Sequence, residues 1–159
     1  MTKLILLVED EYPKFIQIYN YINSLNLGQE FSILKARSVN SALDCIDDNR
    51  PDLILLDMSL PTIDIDVPNG EAGGRAQGFG GIEVLRYMLY SDISCLTIVV
   101  TGYEAFPRED GDVDLSELEI ELKEEFPNIV HSILHYNSTN EFWKLKLKEA
   151  MVSIWQEGH

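Results

Sequence analysis

Carboxylates and a hydroxyl stand where three short aliphatic runs of the chain end. They are Glu9 and Asp10 after LILLV, Asp57 after LILL, and Thr101 after CLTIVV. Three carboxylates brought together from different strands would repel one another unless a cation lay among them. Carboxylate oxygens with room for water are ligands that suit Mg²⁺. These residues therefore predict a magnesium site, provided that the runs are neighbouring strands with a common carboxyl end.

The elements that must bring these side chains together are short apolar strands alternating with helices. The apolar runs predict strands over residues 3–8, 31–36, 53–56, 95–100 and 129–134. Helical spacing predicts helices from Pro13 toward Gly28, from a cap at Ser38 or Asn40 toward Pro51, and over residues 82–89, 115–126 and 142–155. Such alternation is typical of a parallel sheet covered on both faces. The carboxyl ends of its strands face one crevice, where ligands bind.

Two segments interrupt this regular spacing. Residues 62–80 are rich in Gly and Asp and have no periodicity, and residues 104–114 are acidic and rich in turn-forming residues. We interpret both as insertions in a single domain that covers residues 1–159. The first is an unusually long connection between a strand and a helix, and such loops are functional or mobile. We expect residues 62–80 to be mobile, because they offer little apolar surface to offset the entropy of ordering.

Composition excludes several classes of function. The 159 residues carry 12 Lys and Arg against 27 Asp and Glu, a formal net charge of −15. Such a surface repels nucleic-acid phosphates and anionic lipids, so we expect no nucleic-acid and no membrane partner. The chain lacks both an apolar run near the roughly 20 residues of a membrane helix and a signal peptide, which predicts a cytoplasmic protein. Cys45 and Cys95 lie among apolar residues and are expected to be inert buried thiols.

Four segments, in order along the chain, resemble the landmarks of response-regulator receiver domains. They are ILLVEDE, SALDCIDDNRPDLILLDMSLP, GIEVLRYM and IVVTG. The resemblance implies a flavodoxin-like (βα)5 fold, with a five-stranded parallel sheet of order 2-1-3-4-5 and helices on both faces. It also implies a chemistry in which a carboxylate accepts a phosphoryl group.

The resemblance assigns a role to each residue at the carboxyl edge. Asp57 would be the phosphoacceptor, and Thr101 matches the hydroxyl that senses the phosphate. Glu9 and Asp10 would be the acidic pair that holds Mg²⁺, together with Asp57 and the backbone carbonyl of Ser59. We expect Asp10 to be the closer ligand and Glu9 to act through water.

The chain departs from the family's pattern after the fifth predicted strand. Where receivers carry Lys-Pro, this sequence places His135 and Tyr136, and the family's aromatic switch position falls on Ser132. We include His135 among the catalytic candidates, because it stands where phosphoryl oxygens need a partner. A histidine near its ordinary pKa is mostly neutral at pH 7. The sequence therefore predicts that the carboxylates have no other cation nearby except a bound metal.

Two functions remain open from the sequence. The first is a stand-alone receiver of a two-component phosphorelay. It would take a phosphoryl group from a histidine kinase or histidine phosphotransfer protein and signal to a downstream protein target, without being an enzyme beyond its own phosphoryl transfer. The alternative is a degenerate receiver that acts as a phosphorylation-independent docking module. Aromatic side chains near the last strand and helix offer a surface for a possible homodimer, namely Tyr136, Phe142, Trp143 and Trp155.

Overall fold

A five-stranded parallel sheet organises the protein. The computed structural model describes residues 2–64, 80–103, 105–106, 111 and 113–156. The strands are β1 (Thr2–Val8), β2 (Glu30–Ala36), β3 (Leu53–Leu56), β4 (Thr97–Thr101), β5 (Ala105–Phe106), β6 (Val113–Asp114) and β7 (Val130–His135). The helices are α1 (Tyr12–Ser24), α2 (Val39–Asn49), α3 (Gly80–Tyr90), α4 (Leu115–Glu125) and α5 (Phe142–Gln156).

The order of strands in the sheet is β2-β1-β3-β4-β7, and every pair is parallel. This order confirms the predicted 2-1-3-4-5 arrangement, since β7 is the fifth strand of the sheet. The two remaining strands, β5 and β6, form a small antiparallel ribbon in which Ala105 pairs with Asp114. The described part of the acidic stretch 104–114 therefore contains two short paired strands.

Helices cover both faces of the sheet, as the continuous apolar strands predict. Successive strand residues point to opposite faces. Leu6 thus packs in a cluster with residues of α2, α3 and α4, whereas Leu7 packs in a second cluster with residues of α1 and α5. Because β1, β3 and β4 are buried on both faces, their carboxyl ends are held rigidly. That rigidity fixes the side chains that follow them.

The first turn of α2 shows why this helix begins where it does. The Ser38 hydroxyl accepts a hydrogen bond of 3.1 Å from the backbone N–H of Ser41. The Ser41 hydroxyl in turn accepts one of 3.0 Å from the backbone N–H of Ser38. This reciprocal pair is a capping box. It identifies Ser38, and not Asn40, as the cap.

The start of α3 packs directly against the chain that follows β3. A Cβ atom on Gly81 would lie 2.5 Å from the backbone oxygen of Asp57, closer than real Cβ contacts allow. The Gly81 N–H donates a 2.8 Å hydrogen bond to the Met58 carbonyl. The chain after the 62–80 insertion therefore returns beside Asp57, and only glycine fits there. Residues 65–79, on which most of the predicted mobility falls, lie outside the described residues.

The aromatic side chains near the carboxyl terminus divide between the core and the surface. Tyr136 and Trp143 are buried, and the Trp155 ring lies 5.2 Å from that of Phe31. Phe142 remains 75% exposed. In the described part of the chain, no helix combines the length and the apolar character needed to cross a membrane.

Candidate functional site

The carboxyl edge of the sheet brings the three predicted carboxylates together. Val8 of β1 is the parallel partner of Leu56 in β3, so the residues that follow them stand side by side. The backbone N–H of Asp57 also donates a 3.1 Å hydrogen bond to the Val8 carbonyl. As a result, carboxylate oxygens of Glu9, Asp10 and Asp57 all lie within 4.8 Å of one another.

These residues border an open cavity of about 230 Å³. Its described lining consists of Asp10, Glu11, Lys14, Asp57, Ser59, Gly102, Tyr103 and Tyr136. Glu9 lies deeper and is only 2% exposed. A water molecule takes up about 30 Å³ of liquid, so the cavity has room for a phosphoryl group together with water.

A lysine from α1 occupies the centre of this acidic cluster. The Lys14 ammonium lies 2.7 Å from Glu9 Oε1 and 3.2 Å from Asp57 Oδ1. It also donates a 2.8 Å hydrogen bond to the backbone carbonyl of Val100 in β4. The side chain is 4% exposed. The expectation that the carboxylates lack a nearby cation is therefore wrong, because α1 supplies one.

The sequence contains an indication that Lys14 is buried and paired, although the apolar pattern of α1 makes it easy to miss. Lys14, Ile18 and Ile22 are spaced four residues apart, so they share the buried face of α1. A charged residue on such a face is rarely buried unless it is paired. Its ammonium also lies 5.7 Å from the centre of the Tyr136 ring, which packs beside it. A lysine on an apolar stripe, one turn after an acidic strand end, could have indicated the ion pair.

Burial sets the protonation of these groups. Burial raises the pKa of Glu9 to about 8, although the Lys14 ammonium opposes this shift and the Asp57 carboxylate adds to it. The pKa of Asp57 is also raised by burial, again against the effect of Lys14. Burial followed by the charge of Asp57 raises the pKa of Asp10. Burial alone would lower the pKa of Lys14, but its two carboxylate partners outweigh burial and raise it. One ammonium thus leaves the three acids short of positive charge.

Asp57 is the residue with the least satisfied carboxylate. It is 6% exposed, and its Oδ1 atom is buried without a hydrogen-bond donor among the described residues. The ion pair of Asp57 with Lys14, at 3.2 Å, is longer than the 2.7 Å pair of Lys14 with Glu9. An oxygen of this kind, beside two further carboxylates and a water-accessible cavity, fits the hard oxygen ligands that Mg²⁺ prefers.

Of the other predicted site residues, namely Ser59, Thr101 and His135, the described lining of the cavity includes one. Ser59 lines it. Thr101 is fully buried, and its hydroxyl accepts a 3.2 Å hydrogen bond from the backbone N–H of Tyr103. His135 pairs with Thr101 in the sheet, but the described lining at the end of β7 includes the next residue, Tyr136, instead. The catalytic role of His135 therefore stays a prediction.

Comparison with curated proteins places the chain among response regulators. It is 35% identical over 103 residues to the Detocs response regulatory protein DtcB of Enterobacter cloacae (strain JD6301), an alignment that covers 65% of this chain and 68% of the relative. It is 29% identical over 122 residues to sporulation initiation phosphotransferase F of Bacillus subtilis (strain 168), with 77% of each chain covered. No protein-family model matches the chain.

Solved structures show the same fold. The phosphorylated cyanobacterial phytochrome response regulator RcpA aligns with a TM-score of 0.67 and 18% identity, covering 100% of this chain and 98% of that one. The Mn²⁺-bound form of response regulator Rcp1 aligns with a TM-score of 0.61 and 21% identity over 99% of this chain and 96% of that one. Sheet order and sequence relatives agree, and the chain belongs to the response-regulator receiver family of two-component signalling proteins.

Proposed function

We propose that this protein is a phosphorelay receiver that accepts a phosphoryl group on Asp57 in the presence of Mg²⁺. The observation that carries the proposal is the state of Asp57 Oδ1, which is buried without a hydrogen-bond donor at the edge of an acid-lined cavity. A carboxylate buried beside two further acids is costly for the fold alone, since the described contacts give the three acids a single ammonium, which lies 3.2 Å from Asp57 Oδ1. Its retention is understandable if the oxygen reacts or binds a cation.

The proposed reaction requires little covalent chemistry from the protein. One Asp57 carboxylate oxygen attacks the phosphorus, forming an O–P bond while the bond from phosphorus to the donor breaks and the donor keeps that electron pair. The protein mainly has to hold the carboxylate in place and balance the charge of the phosphoryl oxygens. The backbone N–H of Ser59, which donates to the Asp57 carboxylate, supplies part of that orientation.

Asp10, Asp57 and the backbone carbonyl of Ser59 would hold the metal directly. Both oxygens of Glu9 are already engaged, one by Lys14 and the other by the backbone N–H of Glu11 at 3.1 Å. Glu9 would therefore act through water. When bound, Mg²⁺ supplies positive charge to the transferring phosphoryl oxygens.

The proposed phosphoryl donors are a histidine kinase or a histidine phosphotransfer protein. The names of the relatives support this class, since one is a response regulatory protein and another a phosphotransferase. Signalling would then pass to a downstream protein through contacts that change on phosphorylation. The exposed Phe142 at the start of α5 is one group that such a contact, or a homodimer, could cover.

One observation favours the alternative of a phosphorylation-independent docking module. The family's aromatic switch position is Ser132, whose hydroxyl lies 3.1 Å from the ring nitrogen Nδ1 of the neighbouring His131. A serine cannot make the ring rotation that would accompany a movement of Thr101. Under this alternative, partner binding would be the same for wild type and Asp57→Ala.

The test is incubation of the full chain with acetyl phosphate and Mg²⁺, followed by intact-mass measurement. We expect wild type to gain the mass of one phosphoryl group. Asp57→Asn should gain none, and the matched control Asp48→Asn, which changes an exposed acid on α2, should react like wild type. Chelation of the metal should abolish the reaction. Equal modification of wild type and Asp57→Asn would contradict the proposal.

A further inference from the structure

We propose that Lys14 is a catalytic residue of this receiver, whose ammonium enters from the first turn of α1 and pairs with the phosphoryl oxygens during transfer to Asp57. This inference rests on the proposed function. The resemblance to receivers implies a lysine, a permanent cation, after the last strand of the sheet. We assign the role of that cation to a residue of helix α1 instead. In this chain the position of that lysine holds His135, and the described lining of the cavity contains one basic side chain, Lys14.

The ammonium is anchored where the reaction would occur. Two of its contacts fix it to the scaffold, namely Glu9 Oε1 at 2.7 Å and the Val100 carbonyl at 2.8 Å. The third contact joins the ammonium to Asp57 Oδ1 at 3.2 Å and is the longest of the three. The ammonium is thus within reach of the reacting carboxylate. A phosphoryl group on Asp57 would bring further oxygens that can accept a hydrogen bond from it.

Lys14 pairs with Asp57, one of the proposed metal ligands, and would share this carboxylate with a metal ion. Among the described residues, its ion pairs involve Glu9 and Asp57 but not Asp10. The third acceptor, Val100, belongs to β4, whereas Asp10 follows β1. A divalent ion held by Asp10 and Asp57 and an ammonium held by Glu9 and Val100 can therefore flank the same carboxylate. Two positive groups would then share the charge of the phosphoryl oxygens.

Tyr136, the first residue after β7, packs beside Lys14. The Tyr136 ring lies 5.7 Å from the Lys14 ammonium, and its hydroxyl donates a 3.0 Å hydrogen bond to Gln17 Oε1 on α1. Tyr136 is itself buried, and its ring and the Lys14 side chain both line the cavity beside the carboxylates. A permanent ammonium from α1 is accordingly held in one orientation.

The inference is tested by the rate of phosphorylation of the full chain by acetyl phosphate with saturating Mg²⁺, followed by intact mass. We expect Lys14→Met to react more slowly by on the order of a hundredfold, the usual effect of removing one group that stabilises transition-state charge. Lys14→Arg keeps the charge and should retain part of the rate. Lys123→Met, which removes an exposed lysine of α4, is the matched control and should react like wild type.

A second measurement separates catalysis from a purely structural ion pair. Mg²⁺ binding to Lys14→Met, followed by calorimetry, should be at least as tight as to wild type, because the cation that competes for Asp57 is gone. A folded, Mg²⁺-bound Lys14→Met that is phosphorylated at the wild-type rate would overturn the inference and leave the proposed function standing. If wild type itself gains no phosphoryl group, the proposed function and this inference both fail.

A double variant tests the inference even if Lys14→Met does not fold. The double variant Lys14→Met with Glu9→Gln removes the cation together with one of the carboxylates that it neutralises, so it leaves less unpaired charge in the core. We expect this variant to be folded by circular dichroism and to remain slow. Recovery of the wild-type rate in it would show that Lys14 serves only to balance Glu9, and would overturn the inference.

Discussion

Replacement of Lys14 by Met should destabilise the protein strongly when no divalent ion is present. The substitution keeps the length and apolar stem of the side chain but removes an ammonium held by two carboxylates and a carbonyl. The two carboxylates would then remain buried without a counter-charge. Stability and phosphorylation rate are separate quantities, and this prediction concerns stability alone.

The magnitude follows from the two ion-pair distances. With an effective dielectric constant of about 20, Coulomb's law gives about 5 kcal/mol for the 3.2 Å pair with Asp57. For the 2.7 Å pair, about 6 kcal/mol is an upper limit, because the raised pKa of Glu9 leaves part of it protonated near pH 7. Desolvation of the ammonium opposes this attraction by several kcal/mol. Breaking a buried pair by removing one partner costs about 3 to 5 kcal/mol in comparable cases. For a domain of this size, that corresponds to a fall in Tm of roughly 6 to 20 °C.

The assay is urea unfolding in the presence of a chelator, with wild type, Lys14→Met and Lys123→Met compared. Lys123 forms an exposed pair with Glu119 at 3.1 Å and is 48% exposed, so its loss should cost less than about 1 kcal/mol. Addition of Mg²⁺ should stabilise Lys14→Met more than wild type, because its carboxylates lack another cation. If Lys14→Met cost no more than Lys123→Met, the ammonium could not be the buried counter-charge of Asp57.

Three further changes test other parts of the site. Gly81→Ala should destabilise the fold by about 1 to 3 kcal/mol, because its Cβ would meet the Asp57 backbone oxygen at 2.5 Å; an unchanged Tm would contradict the close approach. Ser38→Ala should cost about 1 kcal/mol through loss of the α2 cap, measured by urea unfolding against Asn40→Ala, and equal costs would reject the cap. Asp10→Asn should remove the rise in Tm that millimolar Mg²⁺ produces in wild type, and an undiminished rise would exclude Asp10 as a ligand.

Much of the fold could be predicted from the sequence because apolar runs and helical spacing are properties of short segments. Each apolar run is a strand, and the inner strands β3 and β4 are buried on both faces. The helices between the strands require parallel strands joined by crossovers. The acids at the ends of β1 and β3 must then meet at one edge. The gathering of Glu9, Asp10 and Asp57 is therefore a consequence of strand ends and topology.

The sequence by itself did not determine what fills the space among those acids. The sequence predicts His135 as the basic residue at the site, yet the structure places the next residue, Tyr136, at the cavity and brings the ammonium from Lys14. Which side chain reaches a cavity depends on how α1 is rotated and how closely it packs on the sheet, and contacts between distant residues such as Lys14 and Val100 set both. Local periodicity assigns Lys14 to the apolar face of α1. Where that face lies on the sheet depends on how the helix packs, so only the tertiary structure shows that Lys14 reaches Asp57.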